Sequence, residues 1–81
     1  MIARVYYLVG AVTVEVGMSA YAFPLRVFSH EEEAGALREY ERLAKRNYSE
    51  GYNYQEAYMV RVLGEDRTIV KGNEEKLIGY I

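Results

Sequence analysis

Four tyrosines, Tyr48, Tyr52, Tyr54 and Tyr58, fall within eleven positions and alternate with Ser49, Glu50, Gly51, Asn53, Gln55 and Glu56. Tyrosine offers a large amphipathic contact surface with few rotatable bonds, and Asn, Ser and Gly adapt their hydrogen bonds, so this mixture suits recognition of a protein surface. Tyr48, Tyr52, Tyr54, Tyr58, Glu50 and Glu56 are therefore the candidate partner-binding residues. The same composition also fits a tyrosine-rich rim over the end of a sheet, with rings packed and hydroxyls in water. Base stacking is a third use of such rings, but it needs a cationic groove to hold the phosphates. Here Glu50 and Glu56 flank the rings instead.

The remaining reactive groups are weaker candidates. His30 beside Ser29 lacks a visible orienting partner, and Ser29 is already committed to capping a helix, so neither is a catalytic candidate. Arg38, Arg42, Lys45 and Arg46 make a basic strip along one helix side, read as a solvated face with nucleic-acid binding as a disfavoured alternative. Glu31, Glu32 and Glu33, with Glu74 and Glu75, resemble an acidic mimic of nucleic acid only faintly, because helix-dipole complementation explains the first run. Carboxylates are plentiful, yet a sheet with one helix offers no deep cleft to raise the pKa of one of them. No GxGxxG, P-loop or GxSxG pattern occurs.

Composition narrows the classes further. The 81 residues contain ten Lys and Arg against twelve Asp and Glu, a net charge of −2, with one His and no Cys. That excludes thiolate metal sites, thiol nucleophiles and CxxC redox chemistry, and a single His cannot build an imidazole-rich metal site. No cofactor or metal is expected, and an enzyme is the least favoured class. The proportions, 51% apolar and 27% charged, are those of an ordinary globular domain rather than a nucleic-acid coat. A chain of this length supports one core, so residues 1–81 are expected to form a single domain. No apolar run reaches the roughly 18–20 residues of a membrane span. The run Val5–Val14 after Arg4 alternates into Thr13 and Glu15 as a strand does, rather than forming a signal sequence. The cytoplasm is the expected location of a chain with no disulfides.

The elements that position these groups can be read from periodicity. Residues 3–16 read as one long strand with Val12, Val14 and Val16 on one face, or as two shorter strands in continuation, with a bulge or bend at Gly10. Gly17-Met18-Ser19-Ala20 reverses the chain into a second strand, with Tyr21, Phe23, Leu25 and Val27 on one face. Pro24 lacks an N–H, which places that strand at an edge or bulges it. Ser29-His30-Glu31-Glu32 is a capping box opening a helix over Glu31–Asn47, with Ala36, Leu37, Tyr40, Leu43 and Ala44 as its apolar stripe. Residues 48–53, YSEGYN, read as a loop before a third strand, Tyr54–Leu63. Gly64-Glu65-Asp66 turns into a strand Arg67–Lys71, and Gly72-Asn73-Glu74-Glu75 into a strand Lys76–Tyr80. The order is ββαβββ, an α+β two-layer domain with one helix packed across an antiparallel sheet.

A long first strand, a second ending in Leu25-Arg26-Val27-Phe28-Ser29, then HEEEAGALREYERLAKRN and a meander resemble small proteins of phages and other mobile elements. In size and layout the chain is similar to some anti-CRISPR proteins, a resemblance of architecture over nearly the whole chain. It implies a stoichiometric inhibitor that binds a subunit of a CRISPR effector in the host cytoplasm and blocks its DNA binding or cleavage without catalysis. It assigns no functional residue. The residues themselves support a non-enzymatic protein-binding module. The alternatives are a small homo-oligomeric assembly protein, for example a dimer joined at the Pro24 edge or through Leu77–Tyr80, and a weak nucleic-acid binder.

Overall fold

A computed structural model of the chain describes residues 4–17 and 21–81, with backbone only at 21 and 23–25. The fold is α+β, built on a five-stranded antiparallel sheet. The expected reversal at residues 17–20 falls largely outside the described residues, as does the facing of Tyr21, Phe23, Pro24 and Leu25. The valine-rich first segment forms β1 (Val5–Val14), and β2 (Tyr21–Ser29) returns beside it as an outermost strand. β1 runs unbroken through Gly10. Its partner absorbs the irregularity: Val9 faces Arg26 and Gly10 faces Pro24, which leaves Leu25 as the extra residue of a bulge. Pro24 thus sits where its missing N–H is tolerated, at an edge and beside a bulge.

After β2 a 3₁₀ turn (His30–Glu32) leads into α1 (Glu33–Ala44). The backbone N–H of Ser29 donates to Glu32 Oε1 at 3.0 Å, the return half of the capping box. Hydrogen bonds from the Ser29 backbone and hydroxyl hold the Glu32 carboxyl below its usual range. The helix stripe of Ala36, Leu37, Tyr40, Leu43 and Ala44 docks on Tyr7, Val9, Phe28, Ala57 and Met59, the first face of the sheet. Arg26 ties the edge strand to this layer: its guanidinium lies 5.1 Å over the Phe28 ring and 3.6 Å from Glu39, which also pairs with Arg42. Burying Leu43 contributes about 2 kcal/mol, so Leu43 and its stripe hold the layer in place.

The rest of the chain builds around β4 (Asn53–Leu63), which lies between β1 and two short strands that divide its outer edge. β3 (Tyr48–Glu50) pairs with residues 53–55, and β5 (Asp66–Lys71) pairs with residues 59–63. The gap between them, at Glu56–Tyr58, is closed by side chains and a loop. The N–H of Ala57 donates to Asn47 Oδ1 at 2.7 Å, and Glu56 Oε2 accepts the N–H of Asn73 at 3.0 Å. Gly72 passes so close that a Cβ there would come within 2.8 Å of the Ala57 carbonyl oxygen.

Two expected elements differ. Residues 48–53 form a hairpin rather than a loop, with Gly51 at φ +60°, the conformation a tight two-residue turn asks of its first central residue. Lys76–Tyr80 is not a strand. It belongs to a short helix, α2 (Glu74–Leu77), and the turn that follows. Asn73 Oδ1 accepts the N–H of Glu75 at 3.0 Å and starts this helix, and Leu77 is driven completely out of water beside Val12, Tyr58, Val60 and Val62. The order is therefore ββαβββα, and the second face of the sheet carries its own partial cover. No helix among the described residues is long and apolar enough to cross a membrane.

Candidate functional site

The alternation of β4 distributes the tyrosine-rich run among three environments. Tyr54, Glu56 and Tyr58 share the second face because they are two residues apart. Tyr58 is 2% exposed, packed with Val12, Val60 and Leu77. Glu56 is buried, its carboxylate holding the Asn73 N–H at the entry to α2. Neither reaches the surface, so neither can serve as the partner contact expected of it. Tyr54 is half-buried, its hydroxyl donating to the Lys76 carbonyl oxygen at 2.7 Å while the Lys76 ammonium lies 5.4 Å from the ring centre. Burial, then the neighbouring Tyr80 hydroxyl, raises the pKa of Tyr54. Tyr54 clamps α2 to the sheet.

Tyr48, Glu50 and Tyr52 remain, and the hairpin brings these three together at one end of the sheet. Tyr52, in the Gly51-Tyr52 turn, is 86% exposed, the most exposed large apolar side chain among the described residues. Tyr48 is exposed on the neighbouring strand, opposite Gln55, and Glu50 is exposed opposite Asn53.

The end of β1 braces this tip. Asn53 Oδ1 accepts the N–H of Val16 at 2.7 Å, which joins the β3–β4 turn to the chain leaving β1. Val16 is itself 69% exposed. It belongs to the surface, yet nothing in its sequence context marks it, because it continues the apolar alternation of a strand. Gln55 anchors the base of the hairpin, accepting from the Thr13 hydroxyl at 3.4 Å and reaching the Arg46 carbonyl oxygen with its amide nitrogen at 3.5 Å. The result is a hairpin tip that exposes Tyr52, with Tyr48 and Glu50 exposed on β3 and Val16 exposed across the Asn53 hydrogen bond, held by side-chain hydrogen bonds to Thr13, Val16 and Arg46.

The other candidates have structural surroundings. His30 is exposed in the 3₁₀ turn, and Arg38 and Arg42 along α1 and Lys45 and Arg46 in the turn that follows it are exposed, with Arg42 engaged by Glu39. The described residues hold no group of three or more His, Asp or Glu placed to share a metal ion. No family model, no curated protein and no solved structure matches the chain.

Proposed function

We propose that this chain is a non-enzymatic protein-binding module that docks through the β3–β4 hairpin, with Tyr52 at the centre of the contact and Tyr48, Val16 and Glu50 around it. The observation that carries this reading is a tyrosine 86% exposed on a turn that Asn53 fastens to Val16. Folding gains almost nothing from a ring left in water, whereas a partner that covers it recovers its whole apolar area. The turn is already ordered, so little conformational entropy remains to be lost on binding. Tyr54 and Glu56 instead fasten the segment that carries α2, and Tyr58 is packed in the core.

A protein fits this patch better than a nucleic acid, because Glu50 stands beside the rings and the net charge is −2. The specific form we propose is the one the architectural resemblance implies: a stoichiometric inhibitor bound to a CRISPR effector subunit in the cytoplasm of the host cell. A tagged chain recovered from cells of the source organism, with and without nuclease treatment, tests both levels. A stoichiometric protein partner that survives nuclease supports the module, and an effector subunit among the partners supports the specific form. Loss of every partner after nuclease contradicts both.

A further inference from the structure

We propose that two copies of the chain join edge to edge through β5, antiparallel, so that their sheets run on as one. This surface is separate from the hairpin tip and goes beyond the binding reading. The sheet has outer edges at β2, β3 and β5. Pro24 and the Leu25 bulge interrupt the first, and the second is three residues long. β5 is six residues long, and among the described residues its backbone hydrogen-bonds to β4 alone.

The geometry of the hairpin decides which of its groups face outward. Gly64-Glu65 is a two-residue turn with Gly64 at φ +61°, which makes Leu63 and Asp66 the hydrogen-bonded pair that closes it. Bonded and non-bonded pairs alternate along an antiparallel ladder. Asp66 and Thr68 therefore spend their N–H and C=O groups on β4, and Arg67 and Ile69 turn theirs to the outer edge. A second β5 laid antiparallel meets those groups when Arg67 of each copy stands opposite Ile69 of the other, with the two Thr68 residues facing across the two-fold axis.

Charge selects both the register and the partner. Asp66, Thr68 and Lys71 stand opposite Leu63, Arg61 and Met59, alternate residues of β4, and so share the face that Met59 buries under α1; Val70 is the extra residue of a bulge. Asp66 and Lys71 thus lie on one face at opposite ends of the strand, both exposed and neither in an ion pair among the described residues. In the antiparallel dimer Lys71 of each copy comes against Asp66 of the other, one such pair on each side of the Thr68 contact. Charged residues ordinarily keep an edge strand from pairing, whereas these are complementary to a second copy of the same segment. Sliding the copies by two residues loses the match. In one direction Arg67 meets Arg67; in the other it is left at the end of the second copy's strand, where the chain turns off at Gly72 to pass close to Ala57.

Six residues a side make a small contact beside the roughly 800 Å² per copy of a standard interface, so a dissociation constant of about 0.1 mM is expected. The hairpin tip lies at the other end of β4 and stays free in both copies.

Sedimentation equilibrium of the full chain, from about 10 μM to about 1 mM, tests this. The mass is expected to climb from 9.3 kDa towards twice that value. Hydrogen exchange over the same range reads the edge itself: the amides of Arg67 and Ile69 are expected to slow about threefold or more at the top concentration, while that of Thr68, held by β4, is protected throughout. Lys71→Glu is expected to weaken the dimer about fivefold or more with an unchanged circular dichroism spectrum, and Asp66→Lys added to it to restore the dimer. Tyr52→Ala leaves it unchanged. A monomer at every concentration, a dimer whose Arg67 and Ile69 amides exchange at the monomer's rate, or one that Lys71→Glu leaves as tight, overturns the proposal.

Discussion

The side chain of Asn53 accepts the backbone N–H of Val16 at 2.7 Å, joining the turn that presents Tyr52 to the end of β1. The bond is exposed, so its worth lies in holding two loops in one arrangement rather than in folding. Asn53→Ala is expected to lower global stability by no more than about 1 kcal/mol. It is expected to raise the exchange rate of the Val16 amide and weaken partner binding several-fold, both readable by hydrogen exchange and titration. An unchanged Val16 exchange rate would show that the bond does not brace the tip.

Tyr54 holds α2 through its hydroxyl, and Tyr54→Phe removes that donor while keeping the ring. The Lys76 carbonyl oxygen then loses its partner in a half-buried site, at a cost of about 1–2 kcal/mol. Hydrogen exchange should quicken over residues 74–81 before it quickens in β1 or β4. A uniform loss of protection would mean that α2 is no weaker than the sheet.

Alkaline conditions should unfold the domain through its buried tyrosines. Burial is the first cause that raises the hydroxyls of Tyr7, Tyr54 and Tyr58 above the ordinary value of 10.0. The unfolded chain therefore ionises first, so the stability these groups contribute is complete below pH 10 and falls as the pH rises through their raised values. Melting temperature and tyrosinate absorbance, followed together, should show these tyrosines ionising as the structure is lost. Ionisation of all the tyrosines near the ordinary value with the fold intact would contradict their burial.

Gly72 stands at φ +120°, where a Cβ would lie 2.6 Å from Leu77 Cδ1 and 2.8 Å from the Ala57 carbonyl oxygen. Neither the backbone strain nor the contact with Ala57 can be relieved by a side-chain rotation. Gly72→Ala is expected to cost about 3 kcal/mol or more by urea denaturation. Gly51→Ala, at φ +60° with open space around it, should cost only about 1 kcal/mol. Equal costs at the two sites would show that close packing at Gly72 contributes nothing.

The parts of this fold that were legible in the sequence are those whose signal is local. Ser29 and Glu32 mark the helix start by their own hydrogen bonding, and Ala36, Leu37, Tyr40, Leu43 and Ala44 mark its buried stripe by spacing alone. Pro24 pointed to an edge or a bulge, and the structure has both. The C-terminal segment was not legible, because Leu77, Ile78 and Tyr80 suit a strand or a turn of helix equally well. What decides is the Asn73 side chain on the Glu75 N–H and the burial of Leu77 on a sheet face assembled from distant segments. The same face explains the division of the candidate site. Period two places Tyr54, Glu56 and Tyr58 together, but only the tertiary cover shows that this side is inside, leaving Tyr48, Glu50 and Tyr52 as the exposed remainder. Val16 joins them through a contact 37 positions along the chain.

The most direct test is the dissociation constant of the captured partner for three chains: wild type, Tyr52→Ala and Tyr54→Phe. Tyr52 is exposed and supports nothing in the fold, so its loss should leave the melting temperature within about 2 °C. The expected result is binding weakened about thirtyfold or more by Tyr52→Ala and by less than about threefold by Tyr54→Phe. Full-strength binding by a folded Tyr52→Ala chain would contradict the assignment of the hairpin tip as the docking surface.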